Sequence, residues 1–224
     1  MKAEAKHCLM KLKTEPYSSQ TQRWPRVGRV ILAQFDEGTV VVYQAYRPEI
    51  GQFAAKHGYF GGAFSFSRMS WVKPNFLWMM YRCGWGSKRD QETTLAVRIK
   101  RSAFDEILRL AVPSSFDGSL FADKQAWQQA VETSEVRLQW DPDHDPSGSR
   151  LERRAIQLGL RGSMLERYAN ECVVEIEDIS EFVAAQRANL AENGWPRLLT
   201  PREEPYPVTD PGTLQRLSMA PSNT

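Results

Sequence analysis

A polar residue interrupts an apolar strand in the stretch TVVVYQAYRPE, and it is the first place where the sequence offers chemistry. Side chains alternate along a strand, so Tyr43 points to one face while Gln44 and Tyr46 point to the other. A buried amide needs hydrogen-bond partners. Those partners are either protein groups or a ligand that carries an aromatic ring and phosphates. Four residues of this stretch are therefore candidate ligand contacts: Tyr43, Gln44, Tyr46 and Arg47.

The stretch SRMSWVKPNFLWMMYRCGW combines cations with aromatic residues over a short span. Its centre predicts a helix from about Asn75 to Arg82 that is apolar on every side, which indicates core packing. The cations lie at the edges, where loops reach ligands. Lys73 precedes the helix start, where a positive charge is unfavourable unless an anion lies beside it. We therefore expect Arg68, Trp71 and Lys73 to face the same ligand cleft as Gln44 and Glu171.

A late strand, predicted within NECVVEIEDIS, carries carboxylates on one side. A period of two places Glu171 and Glu175 on the face opposite Cys172. A solvated face is one interpretation of this pattern. If that face lines a cleft, Glu171 is suited to orient a nucleophile or to stabilise a cationic transition state.

Other chemical motifs are scarce. The cluster QWDPDHDP offers carboxylates to a hard cation, but it lacks the glycine and the distal glutamate of a calcium loop. A turn after a strand is the favoured interpretation, and no metal site is predicted. The sequence has no Walker loop, no GxGxxG after a strand, no HExxH, no GxSxG and no CxxC pair, which excludes many common enzymes.

The elements that must position these residues alternate without a regular β-α-β order. RVILAQF and TVVVYQAY flank the turn signal DEG and predict a hairpin. PEIGQFAAKHG predicts a helix that begins at Pro48 and ends at Gly58. Further strands are predicted in TLAVRIK, VRLQWDP and AIQLGL, and further helices in SAFDEILRLA, KQAWQQAVETS, GSMLERYANE and SEFVAAQRANLAENG. We expect an α+β domain with a mixed, mostly antiparallel sheet flanked by helices.

The chain of 224 residues, 42% of them hydrophobic, is long enough to bury the core of a single domain. We expect an irregular N-terminal extension over residues 1–26, the domain over 27–195, and a proline-rich, mostly disordered tail over 196–224. Three distant cysteines indicate a reducing compartment. Without a signal peptide or an apolar run of membrane length, the sequence predicts a cytoplasmic protein with no membrane partner.

Charge is distributed unevenly along the chain. Residues 1–101 carry 17 basic and 7 acidic side chains, whereas the remainder carries 12 and 20. This asymmetry indicates either a basic ligand face or two halves that neutralise each other across the fold.

Five stretches resemble the family catalogued as domain of unknown function 4291: VYQAYRPEI, FSFSRMSWVKPNFLWMMYRCGW, VRLQWDP, RAIQLGL and VEIEDIS. The resemblance covers roughly Arg29 to Phe182 in colinear order. The name of this family supplies no activity.

The order of elements is more distantly similar to that of ADP-ribosyltransferases, and the resemblance implies their fold. In that superfamily a first strand carries a His or Arg that contacts NAD, and a late strand carries the catalytic Glu. Here Gln44 and Glu171 take those places, and Gln44 departs from the usual residue types. The resemblance implies NAD as a substrate, with its pyrophosphate on Arg47, Arg68 and Lys73. It also implies that Glu171 stabilises an oxocarbenium ion.

Three functions are open at this point. The first is an ADP-ribosyltransferase-like transferase that uses NAD and modifies a nucleic-acid or protein target. The second is a module that binds RNA or single-stranded DNA. Its stacking platforms would be Trp71, Trp78, Tyr81 and Trp85. The third is an interaction protein with an exposed aromatic patch.

Overall fold

The computed structural model describes residues 12–219, which contain twelve strands and eight α-helices. The strands are β1 (Thr14–Pro16), β2 (Gly28–Arg29), β3 (Leu32–Ala33), β4 (Thr39–Tyr46), β5 (Ser70–Val72), β6 (Thr93–Lys100), β7 (Val112–Pro113), β8 (Val136–His144), β9 (Arg150–Leu160), β10 (Val173–Asp178), β11 (Leu199–Pro201) and β12 (Glu204–Pro205). The helices are α1 (Tyr17–Gln20), α2 (Pro48–His57), α3 (Phe76–Cys83), α4 (Arg101–Leu110), α5 (Lys124–Thr133), α6 (Gly162–Arg167), α7 (Ser180–Asn193) and α8 (Pro211–Arg216). A π-helical turn, Tyr168–Cys172, joins α6 to β10, and a 3-10 turn, Trp195–Arg197, precedes β11.

Three antiparallel strands form the first sheet, in the order β10-β6-β4. The β-branched residues of β4 suit a pleated, buried surface, and Val40 and Val42 are completely buried there. Val42 pairs with Val97 of β6. These side chains share a core with Phe104 of α4.

The second sheet has the order β2-β9-β8-β7, and β5 pairs with β9 as well. The β2–β9 and β7–β8 pairs are parallel, and the other pairs of this sheet are antiparallel. The strand expected in RVILAQF is split into β2, which joins β9, and β3, which joins β12. The predicted α+β domain with mixed, mostly antiparallel strands is confirmed.

The two sheets meet where β4 passes the end of β5. The N–H of Tyr43 donates to the carbonyl of Lys73 at 2.7 Å, and the N–H of Lys73 donates back at 3.2 Å. Within residues 12–219 no further backbone bridge joins these strands. The strands can therefore separate beyond Tyr43, on the side where Gln44 and Tyr46 follow.

The helices that flank this seam begin and end as the sequence predicts. Helix α2 begins at Pro48 and ends at Gly58, which has a φ of 75°. Helix α3 begins after Asn75, whose side chain accepts the N–H of Trp78 at 2.7 Å, and ends at Gly84, with a φ of 58°. In the described part of the chain, no helix has the length and apolar character needed to cross a membrane.

Both ends of the described chain pack onto the domain, which differs from the expected 1–26 extension and 196–224 tail. β1 pairs with β11, and β12 pairs with β3. Gln20 is buried and donates to the Thr200 hydroxyl at 2.8 Å. The segment 196–219 is thus ordered against the domain, because prolines are tolerated on short edge strands and the few apolar side chains, such as Leu198 and Tyr206, are buried. Residues 1–11 and 220–224 lie outside the described range.

The strand predicted around Glu171 starts later than expected. Tyr168–Cys172 forms the π-helical turn, and β10 begins at Val173. A bulge between Val173 and Glu175 then shifts the register. The predicted common strand face of Glu171 and Glu175 is therefore wrong. The physical reason is helical spacing: Tyr168, Ala169 and Cys172 bury the same side of a helical turn.

Candidate functional site

A cleft of about 600 Å³ opens beside the seam between the two sheets. Its walls come from the end of β4, the start of α2, the loop 63–69, β5, the second half of α3 and the loop after it. This volume suits a small-molecule ligand of nucleotide size. The lining residues are Gln44, Ala45, Tyr46, Arg47, Ile50, Ala63, Phe64, Ser65, Arg68, Met69, Ser70, Trp71, Lys73, Met79, Arg82, Asp90 and Gln91.

Gln44 is buried at the floor of the cleft and holds a hydrogen-bond network together. Its Nε2 donates to Tyr46 Oη at 2.6 Å and to Ser70 Oγ at 2.9 Å. Its Oε1 accepts from Tyr168 Oη at 2.6 Å. Protein groups therefore satisfy this amide at both ends, and its effect is to fix the positions of the Tyr46 and Ser70 hydroxyls.

In this network one hydroxyl O–H has no acceptor among the described residues. Tyr46 Oη and Ser70 Oγ lie 2.7 Å apart, so one hydroxyl donates to the other. Both already accept from the Gln44 amide. The hydroxyl that accepts the hydrogen bond from its neighbour still has its own O–H to donate. The Gln44 NH₂ group cannot accept that hydrogen bond, because it has no available lone pair. That O–H is available to an acceptor oxygen in the cleft.

Tyr168 and Ser70 are site residues that sequence reasoning missed. Tyr168 is completely buried and its ring stacks 5.7 Å from that of Phe60. Burial raises the pKa of the Tyr168 hydroxyl well above its usual value, so the group stays a donor. A tyrosine in GSMLERYANE gives no signal beyond core packing. Ser70 did give a sequence signal, because it is a small polar residue beside Trp71 in a short strand.

The charged residues that line the cleft are mostly cationic. Four cationic side chains and one carboxylate, Asp90, belong to the lining. Arg47 lies 3.2 Å from Glu49, but both side chains are largely exposed, so the pair is weak. Within residues 12–219 the side chains of Arg68 and Arg82 form no hydrogen bond or ion pair. The excess of positive charge favours an anionic ligand. The four cationic residues are Arg47, Arg68, Lys73 and Arg82.

Lys73 differs from the arginines because it is buried, with 5% of its surface exposed. Its Nζ has no hydrogen bond or ion pair in the described part of the chain. Burial, assisted by the charge of Arg82, lowers the pKa of Lys73 from 10.5 to about 8. A buried ammonium without a partner is costly, so an anion beside Lys73 would stabilise it.

Trp71 supplies an aromatic wall, and a glycine makes room for it. Trp71 lies on β5 directly opposite Gly159 of β9. A Cβ atom at Gly159 would lie 2.5 Å from Met69 Sδ and 3.2 Å from Trp71 Cε2. Glycine at this position therefore lets two residues of the cleft pack on the β9 backbone.

The structure brings six of the eight predicted site residues to the cleft: Gln44, Tyr46, Arg47, Arg68, Trp71 and Lys73. Tyr43 is completely buried away from the cleft, and its ring lies 5.4 Å from that of Phe76. Glu171 is exposed in the π-helical turn and does not line the cleft. Neither residue is therefore placed to contact a ligand there.

The aromatic residues proposed as stacking platforms are mostly internal. Trp78 is buried, and the ring of Trp85 packs 5.9 Å from that of Phe76. Tyr81 is exposed on one side, but its ring stacks 3.6 Å from that of His144. Trp71 alone among the four predicted platforms lines the cleft.

The acidic stretch QWDPDHDP lies mostly within β8, and the predicted turn begins only at Asp145. Asp143 is buried and forms an ion pair with Arg153 at 2.6 Å. Asp145 accepts the backbone N–H groups of Ser147 and Ser149. Across residues 12–219, no three His, Cys, Asp or Glu side chains are grouped so that they could hold a metal ion.

Comparison with known proteins identifies a family. The family described as "Domain of unknown function (DUF4291)" matches residues 30–206, which is more than half of the chain. Every residue that lines the cleft falls within this match. A search of curated proteins found no match.

Proposed function

This chain belongs to the family described as "Domain of unknown function (DUF4291)", and we propose from the chemistry of its cleft that it binds NAD as the substrate of an ADP-ribosyltransferase-like reaction. The acceptor is a nucleic acid or a protein. The observation that carries this proposal is the charge of the cleft, with four cationic side chains and one carboxylate around a volume of nucleotide size. A dinucleotide with a pyrophosphate matches that charge.

We assign the pyrophosphate oxygens to Arg47, Arg68 and Lys73. Arg47 and Arg68 are exposed, so their guanidinium forks can bind phosphate oxygens from solution. Lys73 contributes a buried ammonium that forms no hydrogen bond or ion pair within residues 12–219, although the charge of Asp141 favours its protonated form. Because the buried group is shielded from solvent, its interaction with a phosphate is stronger than that of an exposed lysine.

The remaining lining suits the uncharged parts of NAD. Trp71 offers an aromatic surface to a ring of the ligand. The free O–H of the Tyr46 and Ser70 pair is a donor for a ribose hydroxyl or for the carboxamide oxygen of nicotinamide. Gln44 acts on the ligand through these two hydroxyls, which it orients.

In the proposed transfer, the bond between ribose C1′ and the nicotinamide nitrogen breaks, and its electron pair leaves with nicotinamide. An acceptor nitrogen or oxygen then bonds to C1′ and loses its proton. The contribution of this chain is to hold the pyrophosphate and the ring in place while that exchange occurs. The step does not involve Glu171, which lies outside the cleft.

The proposal is tested with NAD that carries a label in nicotinamide, in the presence of nucleic-acid and protein acceptors. We expect NAD to raise the melting temperature of the protein and nicotinamide to be released. Lys73→Met should weaken both effects. Lys124→Met removes an exposed lysine of α5 and should change neither. Absence of both binding and release in the wild-type protein would sink the proposal.

A further inference from the structure

A second cavity, of about 380 Å³, adjoins the cleft. The two cavities share Trp71, Lys73 and Arg82 as lining residues. The far wall of the second cavity is polar and comes from β8 and β9. The contacts proposed above for NAD do not include this wall. Because Lys73 lies on the border, a diphosphate bound to it has its neighbouring ribose beside the second cavity.

Asp141 lies on the polar wall and is held by two amides. Gln139 Nε2 donates to Asp141 Oδ1 at 3.0 Å, and Gln157 Nε2 donates to Oδ2 at 2.7 Å. Gln139 and Gln157 are direct partners across the β8–β9 pair, so the strand register fixes this arrangement. Each carboxylate oxygen keeps a lone pair for a further hydrogen bond. Asp141 therefore presents two oriented acceptor atoms side by side.

The two amides make the rest of this wall rich in acceptors as well. Within residues 12–219 the side-chain oxygens of Gln139 and Gln157 accept no hydrogen bond. Each of these oxygens has two lone pairs, whereas each NH₂ group has only one N–H left to donate. Acceptor positions therefore outnumber donor positions on the wall, which suits a ligand group that donates hydrogen bonds.

We propose that Asp141 binds the 2′- and 3′-hydroxyls of the adenosine ribose of NAD and thereby makes the protein select NAD over NADP. Two adjacent hydroxyls match the two oxygens of one carboxylate, and each hydroxyl donates to one oxygen. A carboxylate that accepts from the 2′-hydroxyl is a general means of distinguishing the two dinucleotides. The inference rests on the proposed function, for which it names the dinucleotide that is used.

NADP carries a phosphate on the 2′-oxygen, and Asp141 disfavours it in two ways. The phosphate replaces the O–H donor with oxygens that accept, so one hydrogen bond to the carboxylate is lost. It also brings a negative charge beside that of Asp141. Arg82 lines the same cavity, but its side chain is exposed, so water screens its attraction for the phosphate. Asp141 is half-buried and is held in place by its two amides.

The test measures the affinities of NAD and NADP by isothermal titration calorimetry at pH 7 and fixed salt. We expect NAD to bind about tenfold more tightly, as for one hydrogen bond to a charged group. ADP should bind more tightly than 2′-deoxy-ADP by a similar factor, because the deoxy compound lacks the donor and adds no charge.

Asp141→Asn removes the negative charge at nearly constant size, so it should strengthen the binding of NADP and bring the two affinities together. A variant with a merely damaged cleft would not gain affinity for NADP. Glu152→Gln is the matched control, because it neutralises an exposed carboxylate on the opposite face of β9, and it should retain the wild-type preference.

Equal affinities for NAD and NADP, or tighter binding of NADP, would overturn the inference. An unchanged preference in Asp141→Asn, or equal affinities for ADP and 2′-deoxy-ADP, would do the same. If Asp141→Asn fails to fold, Gln157→Met takes its place, because it removes one of the amides that hold Asp141 and should reduce the preference. A wild-type protein that binds neither dinucleotide contradicts the proposed function, whereas NAD binding without selection against NADP contradicts only the role of Asp141.

Discussion

The affinity of the cleft for NAD or ADP should depend on pH through Lys73. In the ligand-free protein the pKa of Lys73 is lowered to about 8, chiefly by burial. A pyrophosphate binds the protonated ammonium and so favours it. Below pH 8 the group is already protonated, and affinity should be nearly constant. Above pH 8 the ligand must first bring a proton onto Lys73, and affinity should fall.

The size of the effect follows from the fraction of Lys73 that is protonated. At pH 9 that fraction is about one tenth, so affinity should be about tenfold lower than at pH 7, or about 1.4 kcal/mol. The ligand-free protein should show the opposite trend in stability. Between pH 8 and the ordinary lysine pKa of 10.5 the unfolded chain binds more protons than the native one, so the free energy of unfolding should rise with pH.

Isothermal titration calorimetry of ADP at pH 7, 8 and 9 measures this dependence. Lys73→Met keeps the length of the side chain and removes its charge, so it should bind more weakly at pH 7 and lose the fall above pH 8. Lys124→Met is the matched control and should retain the wild-type curve. Affinity that is flat from pH 7 to 9, or a fall that persists in Lys73→Met, would refute the role given to Lys73.

Three further predictions concern groups that support the cleft. Tyr168→Phe leaves the Gln44 carbonyl without its donor and should lower the free energy of unfolding in urea by about 1–3 kcal/mol. It should also weaken the binding of NAD. Unchanged stability would contradict the hydrogen-bond network. Gly159→Ala places a Cβ against Met69 and should lower the free energy of unfolding by about 1–3 kcal/mol. The affinity for NAD, measured by calorimetry, should also fall. An affinity equal to that of the wild-type protein would show that Met69 and Trp71 tolerate the added methyl group. Burial raises the pKa of Glu203 well above 4.5, so the wild-type protein should lose stability as pH rises above that value. Glu203→Gln should remove this loss, and parallel melting curves from pH 5 to 9 would contradict it.

The sequence predicted the part of the site that local rules determine. Alternation along β4 put Gln44 and Tyr46 on one face, and a proline at a first helical position fixed the start of α2 just after Arg47. The cations around α3 were found because they flank a helix that is apolar on every side. These features depend on neighbours within a few residues, which a single sequence shows directly.

The rest of the site depends on contacts between distant segments. Tyr168 donates to Gln44 across 124 residues, and no local pattern specifies that contact. Glu171 was misplaced because its stretch suits a strand, whereas the burial of Tyr168 and Cys172 favours a π-helical turn. Tertiary packing decided between the two.

The C-terminal segment shows the same limit. Its prolines indicated disorder, yet Glu203 is buried and accepts the N–H of Phe76 at the start of α3 at 2.6 Å. A carboxyl oxygen of Glu203 therefore satisfies a buried backbone donor at the helix N-terminus that would otherwise be unpaired. A proline-rich composition does not reveal such a contact.

Binding of the NAD pyrophosphate in the cationic cleft can be seen in a crystal structure of the protein with ADP. Diphosphate oxygens should lie within hydrogen-bond distance of Lys73 Nζ, with the nucleotide inside the cleft that Trp71 lines. ADP bound at another surface, or a diphosphate in the cleft without contact to Lys73, would contradict it.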